Sequence, residues 1–411
     1  MTGTRTIWIL LFFFTSLLNG SLFSQNQEFH YKFLNLQDNK FLNIEDTARY
    51  RNFMSKLNQF RDTACMDVVH IGDSHMQAGF YSNQIRRRLH QHYETDTLPN
   101  LGFIFPYTVA GTNNPGHYQV SSTGRWSSCK AVKAEPQYPL GLSGITLTTD
   151  DTTASFTIRL KDYFPTLRYK VGRARLFCSA PAGSYNLTVN NQPVSIPQEE
   201  NPAGITLPEP ADTLKVKVRK KDTAMKGSFS LMGMLLEHDR HSVNYHSIGI
   251  NGAKAESYLQ CDKLEYQLRA IDPDWIILSL GTNEAYSRGF TKQQFKKNLA
   301  TLIRRVRRQA GDAWILLTTP GDALKKEKYD NPNNGRARET IIEVAREQGC
   351  AFWDFYQVMG GDHSILSWYF NGLTAEDRLH LNKKGYQLKA DLFFNAFLNS
   401  MADMQAQTAD N

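Results

Sequence analysis

Cysteine is sparse in this chain of 411 residues, five in all. Cys65, Cys129, Cys178, Cys261 and Cys350 are odd in number and widely scattered, so they form neither a disulfide framework nor a zinc spacing. No cofactor is expected; one disulfide is possible and none is required. Long apolar runs are equally rare, and after the one from Ile7 to Leu18 none approaches the length of a membrane-spanning helix. A compact basic block interleaved with aromatics is also missing, which argues against a nucleic-acid partner despite a formal net charge of +7. The densest group of cations, Lys292, Lys296, Lys297, Arg304, Arg305, Arg307 and Arg308, shares its segment with Phe295, Leu299, Leu302, Ile303 and Val306. That spacing predicts a surface helix with a solvated basic face.

What is present begins at the amino end. Thr4-Arg5-Thr6 precedes the apolar run, and Gly20, Ser21 and Ser24 follow it, the pattern of a secretory signal peptide over residues 1–25 with cleavage near Ser24-Gln25. No cysteine sits where a lipid would be attached. The expectation is a periplasmic or secreted protein with no stable membrane insertion once the signal is removed. A hydrophobic content of 41% allows a sizeable core.

Two periodicities divide the rest. Val68, Val69 and Ile71 suit a buried strand that ends at Gly72-Asp73-Ser74-His75, and Ala78, Tyr81, Ile85 and Leu89 then recur at helical spacing. From about Tyr118 to Glu237 short alternating runs take over, such as Phe156 to Leu160, Tyr185 to Val189 and Leu214 to Val218, separated by turn formers. The α/β pattern resumes with apolar strands around Tyr245, Ile277, Leu316 and Phe352. Five strands alternating with helices predict a doubly wound parallel sheet, and the middle stretch predicts an inserted antiparallel β-sandwich. The expected divisions are a first α/β part over 26–115, the insertion over 116–238, a second α/β part over 239–400 and a tail over 401–411.

In such a sheet every strand-to-helix turn falls at one edge. Ser74, Gly252 and Asn283 each lie on such a turn. A serine there is a weak nucleophile without a base, and Asp377-Arg378-Leu379-His380 near the end supplies one. An acid three residues before a histidine reaches the imidazole across one helical turn and fixes its tautomer. The backbone N–H groups of Ser74 and Gly252 and the side-chain amide of Asn283 are candidate oxyanion donors. Gly249, in Gly249-Ile250-Asn251-Gly252, is an alternative to Gly252. His75 is expected either to line the pocket or to cap a helix, Asp73 to act as a local turn acceptor, and Trp368, Tyr369 and Phe370 to form either a sugar platform or core.

Taken together, these four blocks resemble the SGNH subgroup of GDSL-type esterases over roughly residues 64–112 and 240–399. The resemblance implies a flavodoxin-like five-stranded sheet without a metal, a catalytic triad of Ser74, His380 and Asp377, and an oxyanion hole of Ser74, Gly252 and Asn283. Gly-Asp-Ser-His in place of Gly-Asp-Ser-Leu, with a β-domain inserted after the first block, is similar to bacterial peptidoglycan O-acetylesterases. The implied substrate is an O-acetylated cell-wall polysaccharide, with peptidoglycan first. Alternatives are an acetyl esterase or acetyltransferase acting on another extracellular or dietary glycan, and a non-catalytic carbohydrate-binding protein on a hydrolase scaffold.

Overall fold

A computed structural model describes residues 29–44, 47–59, 65–93, 100–133, 135–162, 169–238 and 243–409. The expected signal peptide lies outside these residues.

The central sheet contains five parallel strands, Met66–Gly72, Val243–Gly249, Trp275–Ser279, Trp314–Thr318 and Ala351–Trp353. Counted along the chain, their spatial order is second, first, third, fourth, fifth, which is the flavodoxin-like arrangement. Ile276, Ile277 and Leu278 are all buried, as expected of strands covered by helices on both faces. The register sets Gly249 and Ser279 on either side of Gly72. The three turns that follow these residues therefore leave the sheet at one level.

A sixth strand, Phe41–Leu42, pairs antiparallel with Ala351–Trp353 at the edge. The sequence pattern marks no strand this early. Two residues are too few to show alternation, and tertiary contacts hold them: the Phe41 ring meets Trp275, Trp314, Phe393 and Phe397. Two expected helices are also broken. The one after Ser74 splits into Ser74–Gln77 and Phe80–Tyr93 at Gly79, whose φ is +77°. The one after Gly252 splits into Ala255–Leu259 and Leu264–Ile271.

The middle of the chain forms two antiparallel sheets. One contains Tyr118–Thr123, Thr153–Leu160, Tyr185–Val189, Gln192–Val194 and Thr213–Lys220; the other is centred on Val171–Ser179 and Phe229–Glu237. Phe156, Val216 and Leu187 from the first share a buried core with Phe229, Leu231 and Leu176 from the second. Gly102–Ile104, expected within the first α/β part, pairs with Met234 to Leu236 of the second sheet. That pairing ties the insertion to the parallel sheet's surroundings.

Candidate active site

Ser74 opens the short helix after the first strand, with Asp73 as its N-cap; Asp73 Oδ1 accepts the His75 backbone N–H at 3.0 Å. The expected turn-acceptor role for Asp73 is thus present, and its other oxygen is left to accept from Asn283. His380 comes from the far end of the chain, and its Nε2 lies 2.9 Å from Ser74 Oγ. His380 Nδ1 lies 2.6 Å from Asp377 Oδ2. With Nδ1 protonated against the carboxylate, Nε2 is left as the acceptor for the serine proton.

The local structure around Asp377 differs from the expected helical turn. Residues 375–380 form a tight loop in which Arg378 has φ +48°. Asp377 Oδ1 accepts the backbone N–H groups of Leu379 and His380 at 3.0 and 2.9 Å, so one carboxylate both closes the loop and orients the ring. Asx turns use the same acid-to-backbone contacts as helix starts, which is why the spacing reads as helical. Burial alone raises this carboxyl's pKa, but the His380 ring and the two N–H donors outweigh it and hold the group below the usual carboxylate range.

The two candidate glycines occupy different environments. Gly249 ends its strand against the nucleophile turn, where a β-carbon would meet the Asp73 carbonyl at 2.7 Å and collide with the Gln77 backbone. Gly252 stands in the open turn beyond, at φ +82°, with no atom near a β-carbon position. Gly249 is therefore a close-packing residue, and Gly252 is the glycine on the solvent side. The Asn283 amide donates to the Ala253 carbonyl at 2.9 Å and to Asp73 Oδ2 at 3.2 Å. Asp73 thus links the nucleophile turn to the asparagine.

Three residues that the sequence pattern did not single out hold this edge together. Gln77 donates to Thr112 Oγ1 and the Asn113 carbonyl and accepts the Asn251 N–H at 2.7 Å, fastening the Gly252 turn to the Ser74 helix. Glu284 accepts the N–H of Ala255 at 2.7 Å and of Gly281 at 3.0 Å, so one buried carboxylate joins the Gly252 and Asn283 blocks. Burial pushes its pKa up to about 7 against those two donors. Lys389, on the closing helix Lys383–Ala409, is only 6% exposed, and its ammonium lies 4.3 Å from the Phe355 ring centre and 5.0 Å from that of Tyr81. It shares a cavity of about 30 Å³ with Asp73, His75, Ser279, Thr318 and Asp322. Burial lowers Lys389 to about 8 and raises Asp73 to about 6, each opposed by the other's charge. Its place directly after Asn283 in Gly281-Thr282-Asn283-Glu284 was the only sequence signal for Glu284.

The remaining expectations divide. His75 is half-buried, its Nδ1 bonded to the Tyr386 hydroxyl at 2.9 Å and its ring centre 5.1 Å from that of His380. Burial, then the nearby His380 and Lys389 charges, keep it neutral. Trp368 is core, donating to the Met359 carbonyl, whereas Phe370 is 79% exposed. Tyr369 carries the Arg378 guanidinium 4.2 Å over its ring. No disulfide joins any two of the five cysteines, all of which are among the described residues. Among the described residues there is no cluster of side chains able to hold a metal ion and no helix long and apolar enough to cross a membrane.

A hydroxyl, an imidazole and a carboxylate in hydrogen-bonded series at the carboxyl edge of a parallel sheet define a class, the α/β serine hydrolases. Residues 228–388 match the GDSL-like Lipase/Acylhydrolase family, a span that takes in Gly252, Asn283, Asp377 and His380, with Ser74 separated from it by the insertion. Over that span the chain is similar to these acylhydrolases, which supports its reading as a carboxylic ester hydrolase. Among solved structures, it is similar to one described as a peptidoglycan O-acetylesterase in action, with TM-score 0.70 and 23% identity over 86% of this chain and 96% of the other. An acetyl xylan esterase matches with TM-score 0.31 and 21% identity over 38% of this chain and 81% of its own. A comparison with curated protein sequences finds no match.

Proposed function

We propose that the protein is an exported serine esterase that removes O-acetyl groups from a cell-wall polysaccharide, with peptidoglycan as the first substrate. The observation that carries this is the unbroken series from Ser74 Oγ through the His380 ring to Asp377. In this mechanism His380 Nε2 takes the Ser74 proton as Oγ attacks the ester carbonyl, and Asp377 stabilises the imidazolium that forms. The N–H groups of Ser74 and Gly252 and the Asn283 amide receive the oxyanion, with Asn283 turning part of its amide from the Ala253 carbonyl or Asp73 toward it. His380 returns the proton to the departing sugar oxygen, leaving an acetyl-enzyme. Water, activated by the same imidazole, then releases acetate.

Supports for the polysaccharide are the amino-terminal signal pattern, the two antiparallel sheets set between the catalytic blocks, and the fold shared with a peptidoglycan O-acetylesterase over nearly the whole of that chain. The test is acetate release from O-acetylated muropeptides, with acetylated xylan as the comparison. Faster release from the muropeptides, abolished by Ser74→Ala in a protein that keeps its melting temperature, is the expected result. Equal release by the Ser74→Ala protein would remove the mechanism, and preference for xylan would remove the substrate.

A further inference from the structure

A second concave site lies in the inserted region, away from the triad. It is a cleft of about 800 Å³ whose floor is the outer face of the sheet containing Tyr185–Val189 and Thr213–Lys220. Its size lies within the range of small-ligand and oligomer sites. The alternation of the central strand buries Leu214, Val216 and Val218 in the core and leaves Lys217 and Arg219 on the outside, with Lys221 following in line. Asn186 and Thr188 complete the floor, and the turn at Pro181 and Gly183 and the segment from Pro193 to Gln198 form its walls.

The charge arrangement of this cleft contrasts with the ion pairs along the basic helix. The register places Thr188 and Ser155 on either side of Lys217, and Asn186 and Thr153 on either side of Arg219. Opposite-charge pairs across strands stabilise a sheet, and this face forgoes them. Its described lining holds no aspartate or glutamate. The basic helix Lys292–Gln309 behaves in the opposite way: Lys292 pairs with Glu339, Lys296 with Glu343 and Glu347, and Arg305 with Glu265. Those cations are part of the fold's own ion pairs, whereas the three in the cleft line open space.

We infer that this cleft binds a glycan strand bearing carboxylates, Lys217, Arg219 and Lys221 meeting the acid groups while Asn186 and Thr188 bond to sugar hydroxyls. Residues i and i+2 on a strand stand roughly 7 Å apart, so the three cations form a row suited to an extended polymer with repeated charge. Nucleic acid fits less well, because Tyr185, the only aromatic among the described residues of the lining, is buried and offers no stacking surface for a base. The inference rests on the esterase acting on a polysaccharide, and it adds that the polysaccharide is acidic and is held at a distance from the reacting ester.

The test is fluorescence anisotropy of the full chain with labelled oligogalacturonate, with a neutral xylo-oligosaccharide of equal length and a single-stranded oligodeoxynucleotide as comparisons. The variant Lys217→Ser/Arg219→Ser/Lys221→Ser should weaken oligogalacturonate binding by on the order of 10-fold or more. Lys292→Ser/Lys296→Ser/Arg304→Ser, which removes the same charge from the helix, should change it by less than about 2-fold. Both variants should hydrolyse 4-nitrophenyl acetate at the wild-type rate. No binding by the wild type, equal weakening by the helix variant, equal affinity for the neutral oligosaccharide, or tighter binding of the oligodeoxynucleotide would each overturn the inference. None of these readings depends on ester turnover, so a failure here is distinct from a failure of the Ser74 mechanism.

Discussion

Asp377 grips His380 twice, with Oδ2 on the ring Nδ1 at 2.6 Å and Oδ1 on the backbone N–H at 2.9 Å. Asp377→Asn separates the two functions. An amide oxygen still accepts the backbone N–H and keeps the loop closed, but the amide nitrogen presents a donor to Nδ1 and favours the wrong tautomer. The expected outcome is a fall in kcat of roughly two to four orders of magnitude with KM within about 3-fold of wild type. Steady-state kinetics on 4-nitrophenyl acetate, alongside a thermal melt, makes the measurement; a kcat within 10-fold of wild type would show that the carboxylate is dispensable.

Glu284 makes a different prediction, because it acts by joining two blocks. Gln in its place can accept only one of the N–H groups of Ala255 and Gly281 and opposes the other with its own donor. That costs about 1–3 kcal/mol and loosens the turns carrying Gly252 and Asn283, so kcat should fall by about 10-fold or more with little change in KM. The pH dependence has a definite sign. A carboxyl raised from 4.5 to about 7 in the fold contributes stability that is complete below 4.5 and is lost as pH rises through 7. Wild-type stability should therefore decline between pH 4.5 and 7 by up to about 3 kcal/mol from this group, and Glu284→Gln should flatten the decline. Denaturant melts at half-unit pH steps test it, and parallel curves for the two proteins would refute it.

The glycines give a paired experiment. Gly249→Ala forces a methyl against the Asp73 carbonyl and the Gln77 backbone, so it must displace the nucleophile turn. Gly252→Ala meets no atom but holds a side chain at φ +82°, which costs about 1–2 kcal/mol. The first should lose far more kcat than the second at equal folded fraction, as judged by circular dichroism. A greater loss from Gly252→Ala would reverse the assignment of packing and open-turn roles.

The parts of the site legible in sequence were those in which the backbone and the chemistry share one short motif. Ser74, Gly252 and Asn283 follow strands whose apolar runs are unmistakable, and parallel register then brings their turns together. The Asp377–His380 spacing was informative too, although a loop closed by Asp377 produces it where a helical turn was expected. Phe41–Leu42 gave no signal because its stability comes from four distant rings. Lys389 was invisible for a related reason: a lysine on the last helix reads as solvent-facing, and only the three-dimensional approach of Phe355, Tyr81 and Asp73 makes it buried.

That buried lysine yields the prediction that most directly separates positioning from stability. Asp73 accepts the His75 N–H on one oxygen and the Asn283 amide on the other at full strength only while ionised, and among the groups facing the cavity, Asp322 and neutral His75 supply no positive charge to keep it so. His380 and the Lys389 ammonium both favour the carboxylate, and His70, bonded to Tyr245 and Ser279, is held neutral by its burial and by Lys389. Lys389→Met fills the same space without the charge, so Asp73 should protonate at a higher pH than about 6. Its proton would then meet the Asn283 donor and turn the amide away, moving the acid limb of kcat upward by about one pH unit. Stability should respond in the other direction. A lysine lowered from 10.5 to about 8 by burial makes the wild type gain stability as pH climbs from 8 to 10.5. The variant should lack that gain and melt no lower than wild type at pH 7, since a buried cation gives way to an apolar group. A pH–rate profile whose acid limb stays in place, with the melting behaviour changed as described, would assign Lys389 to packing alone.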